Sequence, residues 1–221
     1  MKSMKVMITG ASRGIGRGTA EFFLDRGHTV VGIDRNPSSL DHPDYKHFIL
    51  DIREADAWPK MDLPGILINC AGVQNEEDID VNLIGTMAVT ERFGVHPGIR
   101  SILMVGSASA HTGSEFPAYA ASKGGLLAYT KNIALRVAKY GAVCNSLDFG
   151  GVLTELNKPV TKDPVLWAQI MEQTPLKRWM TVEEAAEWIY FMTVTNRFCT
   201  GQNILIDGLE AGNARFIWPE E

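Results

Sequence analysis

The sequence predicts an α/β fold, a doubly wound parallel sheet of about seven strands with helices on both faces. Three observations predict this fold. Short β-branched runs alternate with helical patterns, which is typical of βαβ units. Several of the runs are apolar on both faces, as a sheet covered by helices on each side requires. The length of 221 residues suits one domain, residues 1–221, better than two.

The β-branched runs predict the strands, and the segments of helical pattern between them predict four helices. The last helix begins with a capping box, since Thr181 can cap its N-terminus while Glu184 reaches back. Gly27 and Gly141 lie where glycines commonly end helices. Strands are predicted at residues 5–9, 29–34, 47–51, 65–71, 100–107, 142–147 and 203–207. Helices are predicted at residues 14–26, 81–93, 118–140 and 182–193.

Composition and charge argue against several classes of partner. The net charge is -5 and no run of Lys and Arg is present, so we expect no nucleic-acid surface. No apolar stretch is long enough to span a bilayer, so we expect no membrane insertion. The chain passes from Met1-Lys2-Ser3 almost directly into a strand-like run, and we expect no signal peptide. These features favour a cytoplasmic protein.

The cysteines and histidines predict neither disulfides nor a metal site. Cys70, Cys144 and Cys199 are widely spaced and odd in number, which is typical of reduced, packed thiols. No two Cys or His residues lie at the spacing of metal ligands. His42 and His47 lie in a polar stretch and are expected to be solvated.

A glycine-rich turn between the first strand and the first helix predicts a Rossmann-like dinucleotide site. The turn reads Thr-Gly-Ala-Ser-Arg-Gly-Ile-Gly over residues 9–16. Glycines allow a pyrophosphate to approach the backbone closely, and the N-terminus of the following helix offers unpaired N–H groups. Glycines also make ordinary turns, so the strand–turn–helix context carries most of the prediction.

The residues at the end of the second strand bear on the choice between NAD and NADP. Asp34 lies about 20 residues beyond the glycines, where an acidic side chain binds both ribose hydroxyls. Its charge would repel a 2′-phosphate, which favours NAD. Arg13 and Arg35 could each bind a phosphate, so NADP stays open.

Tyr119 and Lys123 are four residues apart in a predicted helix and therefore share one face. A free phenol titrates near 10, and a neighbouring cation favours the phenolate. Oxidation of an alcohol needs such a group, because the hydroxyl loses a proton as the hydride leaves. An amphipathic helix that carries Tyr and Lys incidentally explains the pair equally well on the spacing alone.

A series of further short motifs follows in order: Asn69-Cys70-Ala71-Gly72, Asn82, Ser107, Tyr119 with Lys123, Asn145, Thr154, and residues 175–178 and 200–208. Together with the glycine turn, these motifs resemble in type and order those of the short-chain dehydrogenase/reductase family. The resemblance extends over nearly the whole chain. Cys70 departs from it, since the family has Asn at that position.

The resemblance implies a catalytic role for four residues. Tyr119 would be the general acid/base, and Ser107 would polarise or orient the substrate oxygen. Lys123 would stabilise the phenolate and bind the nicotinamide ribose, while Asn82 would hold a water that relays protons. Ser109 is an alternative to Ser107, although a solvated turn hydroxyl explains it more simply.

The resemblance also implies where the dinucleotide binds. Asp51 would lie beside the adenine, Asn69 and Gly72 near the adenosine ribose, and the backbone of Val152 at the carboxamide, with Thr154 close to it. The full predicted cofactor set is Gly10, Ser12, Arg13, Gly14, Ile15, Gly16, Asp34, Arg35, Asp51, Ile52, Asn69, Ala71, Gly72, Tyr119, Lys123, Gly150, Val152 and Thr154.

Several connections are shorter than is usual in the family. Little room remains between Asp34 and Asp51 for a helix, and only nine residues separate Gly72 from Asn82. These trimmed connections predict a cleft that is more open near the adenosine. Phe149 replaces the proline that the family usually has before Gly150, and packing explains it better than stacking on the nicotinamide.

Residues 152–180 predict a substrate loop with some helix of its own, although a passive surface excursion stays open. Bulky residues in it, Trp167, Met171, Trp179 and Met180, favour an apolar ketone over a phosphorylated sugar. The apolar residues Phe216, Ile217 and Trp218 near the C-terminus either cover a neighbouring subunit or fray. The resemblance implies a homotetramer or homodimer.

The predicted function is hydride transfer between a nicotinamide cofactor and a small or medium-sized secondary alcohol or ketone. The alternative is a non-catalytic NAD(P)-binding regulatory or sensor protein, which usually lacks the tyrosine or the lysine; both are present here. An epimerase or dehydratase is disfavoured, because no second lobe for a sugar nucleotide is present.

Overall fold

In the computed structural model, which describes residues 3–114 and 116–213, seven parallel strands form one sheet. Their order is β3-β2-β1-β4-β5-β6-β7. The sheet confirms the predicted α/β, Rossmann-like architecture. The strands are β1 Lys5–Thr9, β2 Thr29–Asp34, β3 Tyr45–Ile49, β4 Ile66–Asn69, β5 Ser101–Ser107, β6 Val143–Phe149 and β7 Asn203–Ile206. The apolar tail residues 216–218 lie outside the described part of the chain.

The sheet lies between two apolar cores, because successive side chains of a strand point to opposite faces. In β1, Met7 packs on one face while Val6 and Ile8 pack on the other. Helices cover both faces, as the sequence predicts. The α-helices of the described residues are α1 Gly14–Leu24, α2 Thr86–Phe93, α3 Ser109–Thr112, α4 Pro117–Val137, α5 Lys158–Thr161, α6 Pro164–Gln173 and α7 Val182–Tyr190.

Four of these helices correspond to the predicted ones, with different ends. Two of them are continued by π-helical turns, Ile79–Gly85 before α2 and Phe191–Thr195 after α7. A 3₁₀ turn at Ala138–Tyr140 follows α4 and ends at Gly141. The φ of Gly141 is 69°, in the left-handed region that glycine adopts without steric strain. The capping box at Thr181 and Glu184 is present. Among the described residues, no helix is both long and apolar enough to cross a bilayer.

Hydrogen bonds explain where β4 and β6 depart from their predicted bounds. β4 ends at Asn69, because the N–H groups of Cys70 and Ala71 turn aside and donate to Oγ1 of Thr9. β6 continues two residues further than predicted, since Asp148 and Phe149 still pair with β5. Its end therefore reaches the same edge of the sheet as the end of β5.

The connection between β3 and β4 contains a 3₁₀ turn, Ile52–Ala57, and no crossover helix. Ile52, Ala55 and Trp58 bury their side chains in the core beneath α2. The guanidinium of Arg92 donates to the carbonyl oxygens of Ala55 and Trp58, which ties this turn to α2. The face is thus thinner than a full helix would make it, yet it is packed.

Candidate active site

A cavity of about 1020 Å³ opens at the carboxyl ends of the parallel strands. The chain crosses from one side of the sheet to the other between β1 and β4, and such a switch point is where α/β sheets bind ligands. One end of the cavity is lined by Asp34 and Asp51, the middle by the glycine turn, and the other end by Tyr119 and α6. The cavity is large enough for a dinucleotide and a small substrate together.

The glycine turn gives this cavity a wall of bare backbone. A Cβ on Gly10 would lie 2.8 Å from the Cα of Ala71, and one on Gly16 would collide with the carbonyl oxygen of Gly10. Helix α1 begins at Gly14 with no side chain capping its N-terminus. Its first N–H groups are therefore available to an anion, and the positive end of the helix dipole favours one. The residues present fit a pyrophosphate.

Asp34 is held at the end of β2 by backbone donors. Its Oδ2 accepts from the N–H of Ser12 at 3.1 Å, and its Oδ1 accepts from the N–H of Asn36 at 2.9 Å. The carboxylate lines the cavity. Ser12 itself does not line it; its hydroxyl donates to the carbonyl oxygen of Asn36.

Several ion pairs lie near the end of the cavity where the adenosine is predicted to bind. Sequence reasoning missed these contacts. Glu77 lies 3.5 Å from Nη1 of Arg35 and 2.6 Å from Nη1 of Arg53. Arg53 also binds the carboxylate of Asp51, and this hydrogen bond holds the pKa of Asp51 below its usual range. In the sequence, Glu77 is one of several acidic residues at positions 76–80. Nothing in the sequence indicates which residues it binds.

Of the cofactor-binding residues predicted at the end of β4 and just after it, some line the cavity and one does not. Ala71 and Gly72 line the cavity. Asn69 points into the core instead, where its Nδ2 donates to Oγ1 of Thr90 at 3.0 Å. Ile52 reaches the cavity from the 3₁₀ turn while its side chain is mostly buried.

Tyr119 and Lys123 project from the first turns of α4, which Pro117 begins. Nζ of Lys123 lies 5.7 Å from the centroid of the Tyr119 ring and donates to the carbonyl oxygen of Val105 at 2.9 Å. Lys123 is only 5% exposed, so its charge is weakly screened by water. Both residues line the cavity, which places the cation beside the phenol.

Ser107 ends β5 on the same wall of the cavity. Its hydroxyl oxygen accepts from the N–H of Ser109 at 3.2 Å. This bond fixes the oxygen at the start of α3 and leaves the hydroxyl hydrogen available for another acceptor. Ser109 also lines the cavity.

Asn82 lies in the π-helical turn before α2 and is 1% exposed. Its amide both accepts from the N–H of Val73 at 2.8 Å and donates to the carbonyl oxygen of Val73 at 2.9 Å. It also donates to Oγ of Ser122, the neighbour of Lys123, at 3.2 Å. A Cβ on Gly72 would lie 3.2 Å from Oδ1 of Asn82 and 3.6 Å from Nζ of Lys123. Gly72 therefore keeps open the space next to both groups.

A His–Asp pair links α3 to β6, with a buried carboxylate and a partly exposed imidazole, and sequence reasoning missed it. Nε2 of His111 lies 2.6 Å from Oδ2 of Asp148 in β6. Burial raises the pKa of Asp148, and the hydrogen bond from His111 opposes that shift. The only signal in the sequence is an acidic residue inside a predicted buried strand segment.

The remaining end of the cavity is formed by residues 152–180. Trp179 packs on Gly151 so closely that a Cβ there would collide with the indole, and Val152 pairs with Met180. Gly150, Val152 and Thr154 line the cavity where the sequence places the nicotinamide. Four apolar side chains from the helical part also line it: Leu156, Val160, Leu166 and Ile170.

Comparison with known proteins identifies the family. A family model described as enoyl-(acyl carrier protein) reductase matches residues 52–208. The chain is 32% identical to the short chain dehydrogenase adrF of Penicillium roqueforti over 76% of each protein. It is 26% identical to carbonyl reductase [NADPH] 2 of Sus scrofa, over 92% of this chain and 95% of that protein.

Solved structures agree in fold. The chain superposes on 4-hydroxyisoleucine dehydrogenase complexed with NADH with a TM-score of 0.80 and 27% identity. The match covers 92% of this chain and 97% of the other. Similarity to known proteins therefore extends over most of the sequence. It agrees with the parallel sheet, the glycine turn and the tyrosine and lysine beside the cavity. The chain belongs to the short-chain dehydrogenase/reductase family and is an NAD(P)-dependent oxidoreductase that acts by hydride transfer.

Proposed function

We propose that the protein interconverts a secondary alcohol and a ketone, with NAD as its preferred cofactor and Tyr119 as the proton-transfer residue. The single observation that carries this proposal is the buried ammonium of Lys123 beside the ring of Tyr119, on the wall of a dinucleotide-sized cavity. Residues 1–221 would act as one domain, with residues 152–180 as the substrate loop.

The dinucleotide would be held along the cavity by its predicted residues. The N-terminus of α1 and Arg13 would bind the pyrophosphate, Asp34 the adenosine ribose, and the backbone near Val152 the carboxamide. A bound nicotinamide would supply the hydride donor or acceptor. Asn69 is the weakest member of the predicted set, because its amide points into the core.

The chain's own residues would handle the proton. In ketone reduction, Tyr119 would donate a proton to the carbonyl oxygen while the hydroxyl of Ser107 hydrogen-bonds the same oxygen. The ammonium of Lys123 would favour the phenolate that results. A water held by Asn82 in the space left by Gly72 would return a proton toward Lys123 from solvent.

NAD is favoured by the carboxylate of Asp34, which the backbone of Ser12 and Asn36 holds at the cavity. Two ribose hydroxyls can donate to it, whereas a 2′-phosphate would be repelled. Similarity does not decide between the cofactors, since one relative is named for NADPH and one solved structure holds NADH.

The substrate would be a small apolar ketone or alcohol. The apolar side chains of Leu156, Val160, Leu166 and Ile170 line the cavity, together with polar residues of the same segment such as Gln169. Two bulky residues of the substrate loop support the same class, since Trp179 lines the cavity and Trp167 packs edge-on against Trp179, with ring centroids 5.1 Å apart. Apolar walls favour substrates that bury carbon.

The proposal also includes a cytoplasmic location and a homo-oligomeric assembly. Cys70, Cys144 and Cys199 are free thiols, which suits the reducing cytoplasm. A homodimer or homotetramer would cover exposed apolar side chains next to the edge strand β7, among them Trp188, Phe191 and Leu205.

The test is a screen of NADH and NADPH oxidation across a panel of ketones, with the reverse reaction on the matching alcohols. We expect turnover with at least one apolar ketone and faster turnover with NADH. Binding of NADH without turnover of any compound would contradict the enzyme and favour a dinucleotide sensor.

A further inference from the structure

We infer that Glu77 is a cofactor-specificity-determining residue, which holds the guanidinium of Arg35 away from the 2′ position of the adenosine ribose. This inference rests on the proposed cofactor site, and it assigns part of the NAD preference to a side chain on the loop between β4 and α2. Glu77 would act through Arg35 and would not need to touch the cofactor.

The position of Glu77 is set by Arg53 and not by Arg35. Oε1 of Glu77 accepts from Nη1 of Arg53 at 2.6 Å. Arg53 is itself anchored on Asp51, with Nε 3.1 Å from both carboxylate oxygens and Nη2 2.6 Å from Oδ2. The second oxygen of Glu77, Oε2, is left to face Nη1 of Arg35 at 3.5 Å. One carboxylate thus bridges two guanidinium groups.

The backbone of Glu77 is fixed as well. Its N–H donates to Oδ1 of Asn75 at 2.9 Å, and the N–H of Asn75 donates to Oδ1 of Asp78 at 3.0 Å. Asp78 is 3% exposed, and the amide of Asn82 reaches the same oxygen at 3.4 Å. A short connection after Gly72 therefore holds the carboxylate of Glu77 in a defined place beside Arg35, which lines the cavity.

Arg35 is the group that a 2′-phosphate would need. It follows Asp34 directly and lines the cavity with it. A phosphate next to Asp34 requires a cation to offset the repulsion, and a guanidinium binds phosphate in two-pronged fashion. While Glu77 neutralises Arg35, the charge nearest the ribose hydroxyls is the carboxylate of Asp34. NAD meets no penalty there, and NADP does.

The expected size of the effect follows from exposure. The side chains of Arg35 and Glu77 are 48% and 39% exposed, so solvent and salt screen the pair. Glu77→Gln keeps the size of the side chain and removes its charge. We expect it to tighten NADPH binding relative to NADH by roughly two- to fivefold, the scale of one partly screened ionic contact.

The test measures dissociation constants, by titrating purified protein with NADH and with NADPH at one fixed ionic strength and following nucleotide fluorescence. Glu77→Gln is compared with Glu76→Gln, which removes the same charge from the adjacent exposed residue. The Glu77→Gln change is then repeated in an Arg35→Ala background, which forms a double-mutant cycle. Circular dichroism verifies that each variant is folded.

The inference predicts a gain in NADPH affinity for Glu77→Gln, little change for Glu76→Gln, and loss of the gain when Arg35 is absent. An unchanged NADPH to NADH ratio in Glu77→Gln would overturn it. An equal gain in Glu76→Gln would also overturn it, because the effect would then be one of overall charge. So would a gain that survives in Arg35→Ala.

Measurements of nucleotide binding can test this inference independently of the proposed function. A wild type that binds NADH and turns over no ketone fails as an enzyme, yet the ratio of dissociation constants still tests Glu77. A wild type that prefers NADPH contradicts the proposed cofactor, while the direction of the Glu77→Gln shift is measured all the same.

Discussion

Nε2 of His111 lies 2.6 Å from Oδ2 of Asp148, a carboxylate with no exposed surface. His111 belongs to α3, the short helix that follows Ser107, and Asp148 lies in β6 just before Phe149 and Gly150. The pair therefore connects α3, which follows the predicted catalytic serine, to β6, which precedes the predicted nicotinamide-binding turn.

Removing His111 should cost stability in a manner that depends on pH. Burial raises the pKa of Asp148 above its ordinary 3.8, and His111 opposes the shift. A carboxyl with a raised pKa in the folded state stabilises the fold at low pH, and that contribution is lost as pH rises through the folded pKa. His111→Ala leaves the buried carboxylate without this donor, which should cost about 1–3 kcal/mol at neutral pH.

The measurement is the melting temperature of wild type and His111→Ala from pH 4 to pH 8. The gap should be smaller at the acid end of this range, where a larger fraction of Asp148 is protonated, and should widen toward neutral pH. In the Asp148→Asn background, loss of His111 should give a gap with much less pH dependence. A gap of constant size in the wild-type background would show that His111 does not serve this carboxylate.

Gly106 leaves the space that Asp148 occupies, because a Cβ on Gly106 would collide with Oδ1 of Asp148. Gly106→Ala should therefore destabilise the fold by about 1–3 kcal/mol through overpacking. In an Asp148→Ala background the same substitution should cost much less. Chemical unfolding of the four proteins measures the coupling, and equal costs in both backgrounds would refute the proposed collision.

Asp34→Ala should relax the preference between the cofactors. The change removes the acceptor that Ser12 and Asn36 hold at the cavity, along with the charge that would repel a 2′-phosphate. We expect kcat/KM with NADPH, divided by that with NADH, to rise at least tenfold. Asp41→Ala, on the exposed loop before β3, serves as the control. A preference that Asp34→Ala leaves unaltered would mean that Asp34 does not meet the ribose.

Local patterns in the sequence predicted the parts of the fold that local physics decides. The glycine turn, the capping box at Thr181 and the four-residue spacing of Tyr119 and Lys123 each follow from a few neighbouring residues. Parallel strands were recognisable because their side chains are buried on both faces. The sheet and its connections were predicted for this reason.

Contacts between distant segments could not be predicted in this way. His111 and Asp148 are 37 residues apart, and Arg53 and Glu77 are 24 residues apart. Asn69 has the family's residue type, yet only the packing of Thr90 shows that its amide points into the core. Such pairs arise from the order of strands in the sheet, which no local pattern contains.

The most direct test of the central claim is the turnover of Tyr119→Phe, which removes one oxygen and keeps the ring that Lys123 faces. Positioned proton transfer is commonly worth about 10²–10⁴-fold in rate. We predict that kcat falls by that order while the dissociation constant for NADH stays within about twofold of wild type. A Tyr119→Phe enzyme that turns over as fast as wild type would contradict the account.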